Sequence, residues 1–150
     1  MITNERGGAD TLLVTLFVIP LLLFVSFAGV PVFVYMMKAN HMQIAVSHAL
    51  KEAEAVGYVS PDIKEATRNR LAELGMEPIT LDGVGYPSFI GSTETKVLRD
   101  APEPTVTVVA MYPAPNVTRL LNALGGGEGH SDPYDGLYRV VLHGKSETYE

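Results

Sequence analysis

Residues 11–37 read TLLVTLFVIPLLLFVSFAGVPVFVYMM, and none of them carries a charge. As an α-helix this stretch would be about 40 Å long at 1.5 Å per residue, which exceeds the roughly 30 Å hydrocarbon core of a bilayer. The residues that follow it are polar enough to stay in water. The sequence therefore predicts one membrane-spanning helix, for which we take residues 9–37, ahead of a small water-exposed domain at 38–150.

A cleaved secretory signal peptide is a poor explanation of the same stretch. Such signals combine a cationic N-terminal region with an apolar run of about 7–15 residues and a small-x-small cleavage site. Here the apolar run is much longer, and Arg6 is accompanied by Glu5 and Asp10. We expect the helix to remain part of the protein.

The helix is predicted to continue past Lys38 as an amphipathic helix over residues 38–56. The segment ANHMQIAVSHALKEAEAV contains neither Pro nor Gly, and it favours helix. Ala45, Ala49 and Ala53 recur every four residues, and small residues on one helical face let another helix approach closely. We interpret these alanines as a helix-packing face, and Gly57 as the residue that ends the helix.

The rest of the chain predicts an α+β domain. Ser60, Pro61 and Gly75 are typical of the cap, first position and end of a second, short helix. We expect a small antiparallel sheet of three to four strands, and a helical turn in the segment between its last two strands. The predicted strands are Met76–Leu81, Thr93–Arg99, Thr105–Tyr112 and Tyr138–His143, and the helical turn is Asn116–Leu124.

Composition argues against several functional classes. The net charge of −6, with scattered Lys and Arg, is unlike that of a nucleic-acid-binding protein. The chain contains no cysteine, which excludes a disulfide, a thiolate metal site and a cysteine nucleophile. His41 and His48 are seven residues apart, too far along a helix to share one metal ion. His130-Ser131-Asp132 are adjacent and do not form a triad. We therefore predict no enzyme activity, no metal and no cofactor.

The residues in front of the apolar run resemble a known family. Arg6-Gly7-Gly8-Ala9-Asp10, followed directly by the apolar helix, looks like the N-terminus of type IV pilin-like proteins. It is most similar to the TadE-like class of the tight-adherence pilus system, whose members often begin Arg-Gly-x-Ala before a Leu-rich helix. That class also resembles this chain in its short leader, long N-terminal helix and small α+β domain.

The resemblance implies a route through the membrane. Residues 1–8 would be a short leader on the cytoplasmic side, removed after Gly7 or Gly8 by a prepilin peptidase, so that Gly8 or Ala9 becomes the first residue. The protein would be single-pass, with its C-terminal domain outside the cytoplasm. Its partners would be the membrane, the peptidase and other pilin-like subunits, with which its helix would pack into a cell-surface filament used in secretion or adhesion.

One position departs from the pilin pattern. Many pilins carry Glu at the fifth mature position, where this chain has Leu12 or Leu13. Asp10, at the second or third mature position, is the candidate partner for the new N-terminal amine. Two interpretations remain open: a minor pilin or pseudopilin, and a permanently anchored single-pass protein whose outer domain binds a partner or senses a ligand.

Overall fold

The chain has an α+β fold in which a long N-terminal apolar helix precedes small antiparallel sheets. The structure is a computed structural model that describes residues 6–114 and 136–149, with the side chains of residues 6–10 and 28 outside the description. The elements, in chain order, are α1 (Arg6–Val56), α2 (Pro61–Glu73), β1 (Ile79–Leu81), β2 (Val84–Tyr86), β3 (Thr105–Pro113) and β4 (Leu137–Lys145). The chain divides into two compact units, Met1–Val34 and Tyr35–Glu150.

The expected helix is continuous through Lys38 and ends where the sequence predicts. Helix α1 includes Pro20 and Pro31 and stops at Val56. Gly57 follows with a φ of +87°, and its amide donates to the carbonyl of Ala53 at 2.7 Å. Glycine adopts this left-handed conformation without the steric penalty that a Cβ brings, which explains the sharp end of the helix.

Helix α2 has the ends that its sequence predicts. The Ser60 side chain accepts a hydrogen bond from the Ile63 amide at 3.3 Å, and Pro61 occupies the first helical position. Gly75, with a φ of +78°, closes the other end. Ile63, Thr67 and Leu71 are the buried residues of this helix, spaced so that they lie on one face. Local capping chemistry therefore sets the limits of α2.

The strands of residues 6–114 and 136–149 form two antiparallel pairs, which corrects the expectation that they belong to a single sheet of three to four strands. Strands β1 and β2 form a tight hairpin that turns at Asp82 and Gly83, and β3 pairs with β4 from Thr105↔Lys145 to Pro113↔Leu137. Within the described residues, the bridge recorded outside these strands joins Ser88 to Met111, next to Pro87. There the Ser88 amide donates to the Met111 carbonyl at 3.0 Å and the Met111 amide donates to the Ser88 carbonyl at 2.9 Å.

The predicted strand Thr93–Arg99 is also wrong: the Thr93 amide donates to the Thr107 carbonyl at 2.9 Å, but the segment then leaves β3, and the Val97 amide donates to the Gly57 carbonyl at 2.9 Å. The Ser92 hydroxyl donates to the Val109 carbonyl at 3.1 Å and accepts from the Val109 amide at 2.9 Å. The Thr93 hydroxyl accepts from the Thr107 amide at 2.9 Å. These hydroxyls take up backbone groups along one edge of β3 that a neighbouring strand would otherwise bond. The predicted helical turn at 116–124 lies outside the described residues.

The core of the second unit lies between the helices and one face of the β3–β4 pair. Strand β3 contributes alternate residues, as a half-buried strand should. Helix α1 contributes its alanine face together with Met42 and Val46. The principal buried residues from the rest of the unit are Val59, Ile63, Leu71, Met76, Phe89, Val106, Val108, Ala110, Tyr112 and Tyr138.

Candidate functional site

The predicted processing residues belong to the first turn of α1. Helix α1 begins at Arg6, so the backbone of Gly7, Gly8, Ala9 and Asp10 is helical. Their side chains are outside the description, and the pairing of Asp10 with an N-terminal amine stays a prediction. The segment Arg6-Gly7-Gly8-Ala9-Asp10 and the apolar residues that follow it belong to one continuous helix, with no intervening loop.

The apolar segment is exposed on every side. Fifteen Leu, Val, Ile and Phe side chains between Leu12 and Phe33 are each 41–76% exposed. Burying one such side chain fully is worth roughly 1.5–3 kcal/mol, so leaving all of them in water would cost a few tens of kcal/mol. The segment is therefore suited to an apolar environment, and it could span a membrane. Among the described residues, α1 is the helix long and apolar enough to cross a membrane.

The polar side chains of this segment are satisfied by the helix itself. The Thr15 hydroxyl donates to the Thr11 carbonyl at 2.7 Å, and the Ser26 hydroxyl donates to the Leu22 carbonyl at 2.8 Å. Donors that already have a partner carry a smaller cost in hydrocarbon than unpaired ones. These two residues therefore do not prevent the segment from lying in an apolar environment.

The alanine face has its partner inside the same domain. Ala45, Ala49 and Ala53 are 0–2% exposed and belong to the core described above. Their small side chains let α1 lie close to that core. Because the face is already covered, contacts of α1 with neighbouring subunits would have to use other residues. The sequence pattern identified the face but gave no information on what covers it.

Contacts between elements hold α1 against the remainder of its unit. Arg70 of α2 forms an ion pair with Glu52 of α1, with Nη2 and Oε1 2.6 Å apart. The ring centroids of Tyr35 and Tyr138 are 4.8 Å apart. Burial, together with the nearby Tyr35, raises the pKa of Tyr138 to about 12. The Tyr138 hydroxyl is buried and has no hydrogen-bond partner among the described residues. These contacts join residues distant in sequence, and no local signal predicted them.

Surface charges show one further specific pair. Lys64 bonds Glu94 at 2.7 Å, and this hydrogen bond together with the lysine charge lowers the pKa of the Glu94 carboxyl. Both residues are on loops or helices of the second unit, away from the alanine face. The pair connects α2 to the segment that follows β2.

Within residues 6–114 and 136–149 we find no group of three or more His, Asp or Glu side chains placed to hold a metal ion. His143 bonds the Thr107 hydroxyl at 2.9 Å across the β3–β4 pair, a structural contact. The structure does not bring His41 and His48 together with carboxylates into such a group. His130 and Asp132 lie outside the described residues.

No protein-family model, no curated protein and no solved structure matches the chain. Its functional interpretation therefore depends on its own residues: the Arg-Gly-Gly segment, the exposed apolar helix and the domain that continues from it.

Proposed function

We propose that the chain is a structural subunit, a TadE-like minor pilin or pseudopilin, of a surface pilus or a related secretion or adhesion assembly. The observation that carries the proposal is Arg6-Gly7-Gly8 leading without interruption into an uncharged helix that is exposed on all sides. A helix of this kind exchanges lipid for identical neighbours without exposing a polar group to hydrocarbon.

The domain arrangement supports the same role. Helix α1 is apolar as far as Phe33, and from Met42 to Ala53 it is part of the core of a small α+β domain. Helix α1 thus continues from the exposed apolar segment into the core of the α+β domain.

The decisive experiment is the sequence of the mature N-terminus. The protein is purified from the cells that produce it and analysed by intact-mass and N-terminal peptide mass spectrometry. We expect a chain that starts at Gly8 or Ala9. Recovery of Met1 from cells that contain an active prepilin peptidase would contradict the proposal and favour the permanently anchored alternative.

Substitutions at the predicted cleavage site test where the leader is removed. Replacing both Gly7 and Gly8 by Leu should block trimming and keep the protein out of sheared surface material. Gly29→Leu is the matched control, since it adds the same side chain to α1 at a position where a Cβ meets nothing within 4 Å. That variant should be trimmed as the parent is. Equal trimming of all three proteins would count against cleavage at these glycines.

A further inference from the structure

The β1–β2 hairpin has an apolar face that is only partly covered by its own domain. Its cross-strand pairs are Ile79↔Tyr86 and Leu81↔Val84. Residues that are paired across two strands, or that lie two apart along one strand, share one face of a sheet. Ile79, Leu81 and Val84 are 37–47% exposed within the described structure. We call this surface the hairpin face: Ile79, Leu81, Val84 and Tyr86.

The hairpin is attached to the domain at its base. Tyr86 packs against the core, and the Tyr112 hydroxyl donates to the carbonyl of Glu77, two residues before β1, at 2.9 Å. Leu81 and Val84 flank the turn at the other end of the hairpin. The tip therefore presents apolar side chains away from the core.

The strand register places this tip at one particular end of the domain. Ser88, which follows β2, forms an antiparallel bridge with Met111 of β3. Antiparallel strands run in opposite directions, so residues before Ser88 lie towards the later residues of β3. Val84 is four residues before Ser88, whereas β3 ends at Pro113, two residues after Met111. The tip therefore extends past this end of β3 by about two residues, or roughly 7 Å.

Tyr35 of α1 lies at the same end of the domain. Strand β4 pairs Tyr138 with Tyr112, close to the end of β3, and the ring of Tyr138 contacts that of Tyr35 with centroids 4.8 Å apart. Tyr35 is within the last three residues of the uncharged run 11–37, and Lys38 is the first charged residue after it. The hairpin tip is therefore at the end of the domain where the apolar run of α1 stops.

We propose that the hairpin face is a lipid-contact surface, which lies in the interfacial layer of the bilayer that the apolar run of α1 enters. A membrane-spanning α1 brings Tyr35 to the boundary between hydrocarbon and headgroups. The side chains of Leu81 and Val84, at the same end of the domain, then meet lipid. Tyr86 adds an aromatic ring with a polar hydroxyl, the type of side chain that is enriched at this boundary.

Charge does not carry the proposal, because both signs occur at this end of the domain. Lys38 and Arg139 are positive, and Glu77 and Asp82 are negative. Asp82 lies in the turn of the hairpin itself, and a carboxylate is costly to bury in hydrocarbon. The turn should therefore stay among the headgroups, with only the apolar side chains of the hairpin face reaching the acyl chains.

This lipid contact goes beyond the function proposed above and requires only that the apolar run of α1 lies in a bilayer. It gives the domain a second attachment to the membrane, in addition to α1. The contact is expected both for a pilin-like subunit before assembly and for a permanently anchored protein.

Fluorescence quenching by lipids tests the contact in the full chain, reconstituted into phosphatidylcholine vesicles. The natural chain has no cysteine, so Leu81→Cys introduces a single thiol for an environment-sensitive NBD dye. Thr105→Cys is the matched control, at an exposed position at the opposite end of β3, about 26 Å from Pro113. Ser26→Cys, within the apolar run, reports the insertion of α1.

Nitroxide-labelled lipids should quench the dyes at positions 26 and 81 at least several-fold more strongly than the dye at position 105. At position 81, a nitroxide near the headgroup should quench more than one near the end of the acyl chain. Weak quenching at 81 beside strong quenching at 26 would overturn the lipid contact and leave the proposed function standing. A dye at 81 that is shielded from aqueous iodide but not quenched by lipid would also overturn it, because protein would then cover the face.

A second readout removes the effect of the dye on the position that is tested. In the Val84→Cys background, Leu81→Glu should reduce lipid quenching of the dye several-fold. Thr80→Glu adds the same charge on the opposite face of the hairpin and should reduce quenching less. Both residues are exposed, so neither substitution removes a core contact. Equal reductions would contradict the assignment of the hairpin face, and absence of quenching at position 26 would contradict a membrane-embedded α1 together with the lipid contact.

Discussion

Gly57 is a position where a single methyl group should disturb both the backbone and the packing of the domain. It ends α1 with a φ of +87°, and the left-handed conformation costs a residue with a Cβ roughly 1–2 kcal/mol. A Cβ would also collide with the Val97 carbonyl oxygen and lie 2.7 Å from Cγ2 of Thr148. The Val97 amide donates to the Gly57 carbonyl at 2.9 Å, so the colliding segment is tied to Gly57 itself.

The expected loss for Gly57→Ala follows from these two effects. Overpacking of this kind typically costs 1–3 kcal/mol, which together with the φ penalty gives about 2–5 kcal/mol. Gly75→Ala is the matched control: its φ is +78°, but a Cβ there meets nothing within 4 Å. It should lose only the conformational part, about 1–2 kcal/mol.

Urea unfolding of the full chain in detergent micelles measures both variants. Tyrosine fluorescence reports on the folded unit, and the chain has no Trp to mask it. With a slope of roughly 2 kcal/mol per M, Gly57→Ala should lower the midpoint by about 1–2.5 M, and Gly75→Ala by less than about 1 M. Equal losses from the two variants would refute the close packing of Gly57 against Val97 and Thr148.

Two further predictions compare matched pairs of residues by the same unfolding assay. Tyr138→Phe removes a buried hydroxyl that has no partner within residues 6–114 and 136–149, and it should stabilise the domain by about 1 kcal/mol. Tyr112→Phe removes a hydroxyl that donates to the Glu77 carbonyl at 2.9 Å and should destabilise the domain by about 1 kcal/mol. The folded pKa of Tyr138 is raised to about 12, above its ordinary value near 10, so the unfolded chain loses this proton first and the free energy of unfolding should fall as the pH rises from 10 to about 12. Tyr138→Phe should reduce this fall, measured by circular dichroism because tyrosinate does not fluoresce. The same sign for both tyrosine variants at neutral pH would contradict the difference between the two hydroxyls. Ala49→Leu should destabilise the domain by about 1–3 kcal/mol because the alanine face is packed. Ala55→Leu, at an exposed position of α1, should change the free energy of unfolding by less than about 0.5 kcal/mol. Equal effects of the two substitutions would show that the alanine face is not buried.

Local chemistry explains which parts of the fold the sequence predicted. Ser60, Pro61 and Gly75 act on their own helix ends, and Gly57 terminates α1 through its backbone conformation. Such signals depend on neighbours within a few residues, so they can be recognised in the sequence without a structure. The apolar segment was equally predictable, because an uncharged run of this length indicates a helix suited to an apolar environment, whatever residues follow it.

The remaining features depend on residues distant in sequence. Thr93–Arg99 has strand-like composition, but beyond Thr93 its amides donate to the distant carbonyls of Gly57 and Thr148 and not to β3. The alanine spacing showed a packed face, yet whether α2 and the strands or another subunit covers it is a tertiary question.

The central claim is that a short leader is cleaved from the start of the chain and that α1 then packs into an assembly. The mass of the mature protein, taken from cells with an active prepilin peptidase, tests it most directly. We predict a chain that lacks residues 1–7 or 1–8 and begins at Gly8 or Ala9. A mature chain that still begins at Met1 would contradict the claim and identify α1 as a permanent anchor.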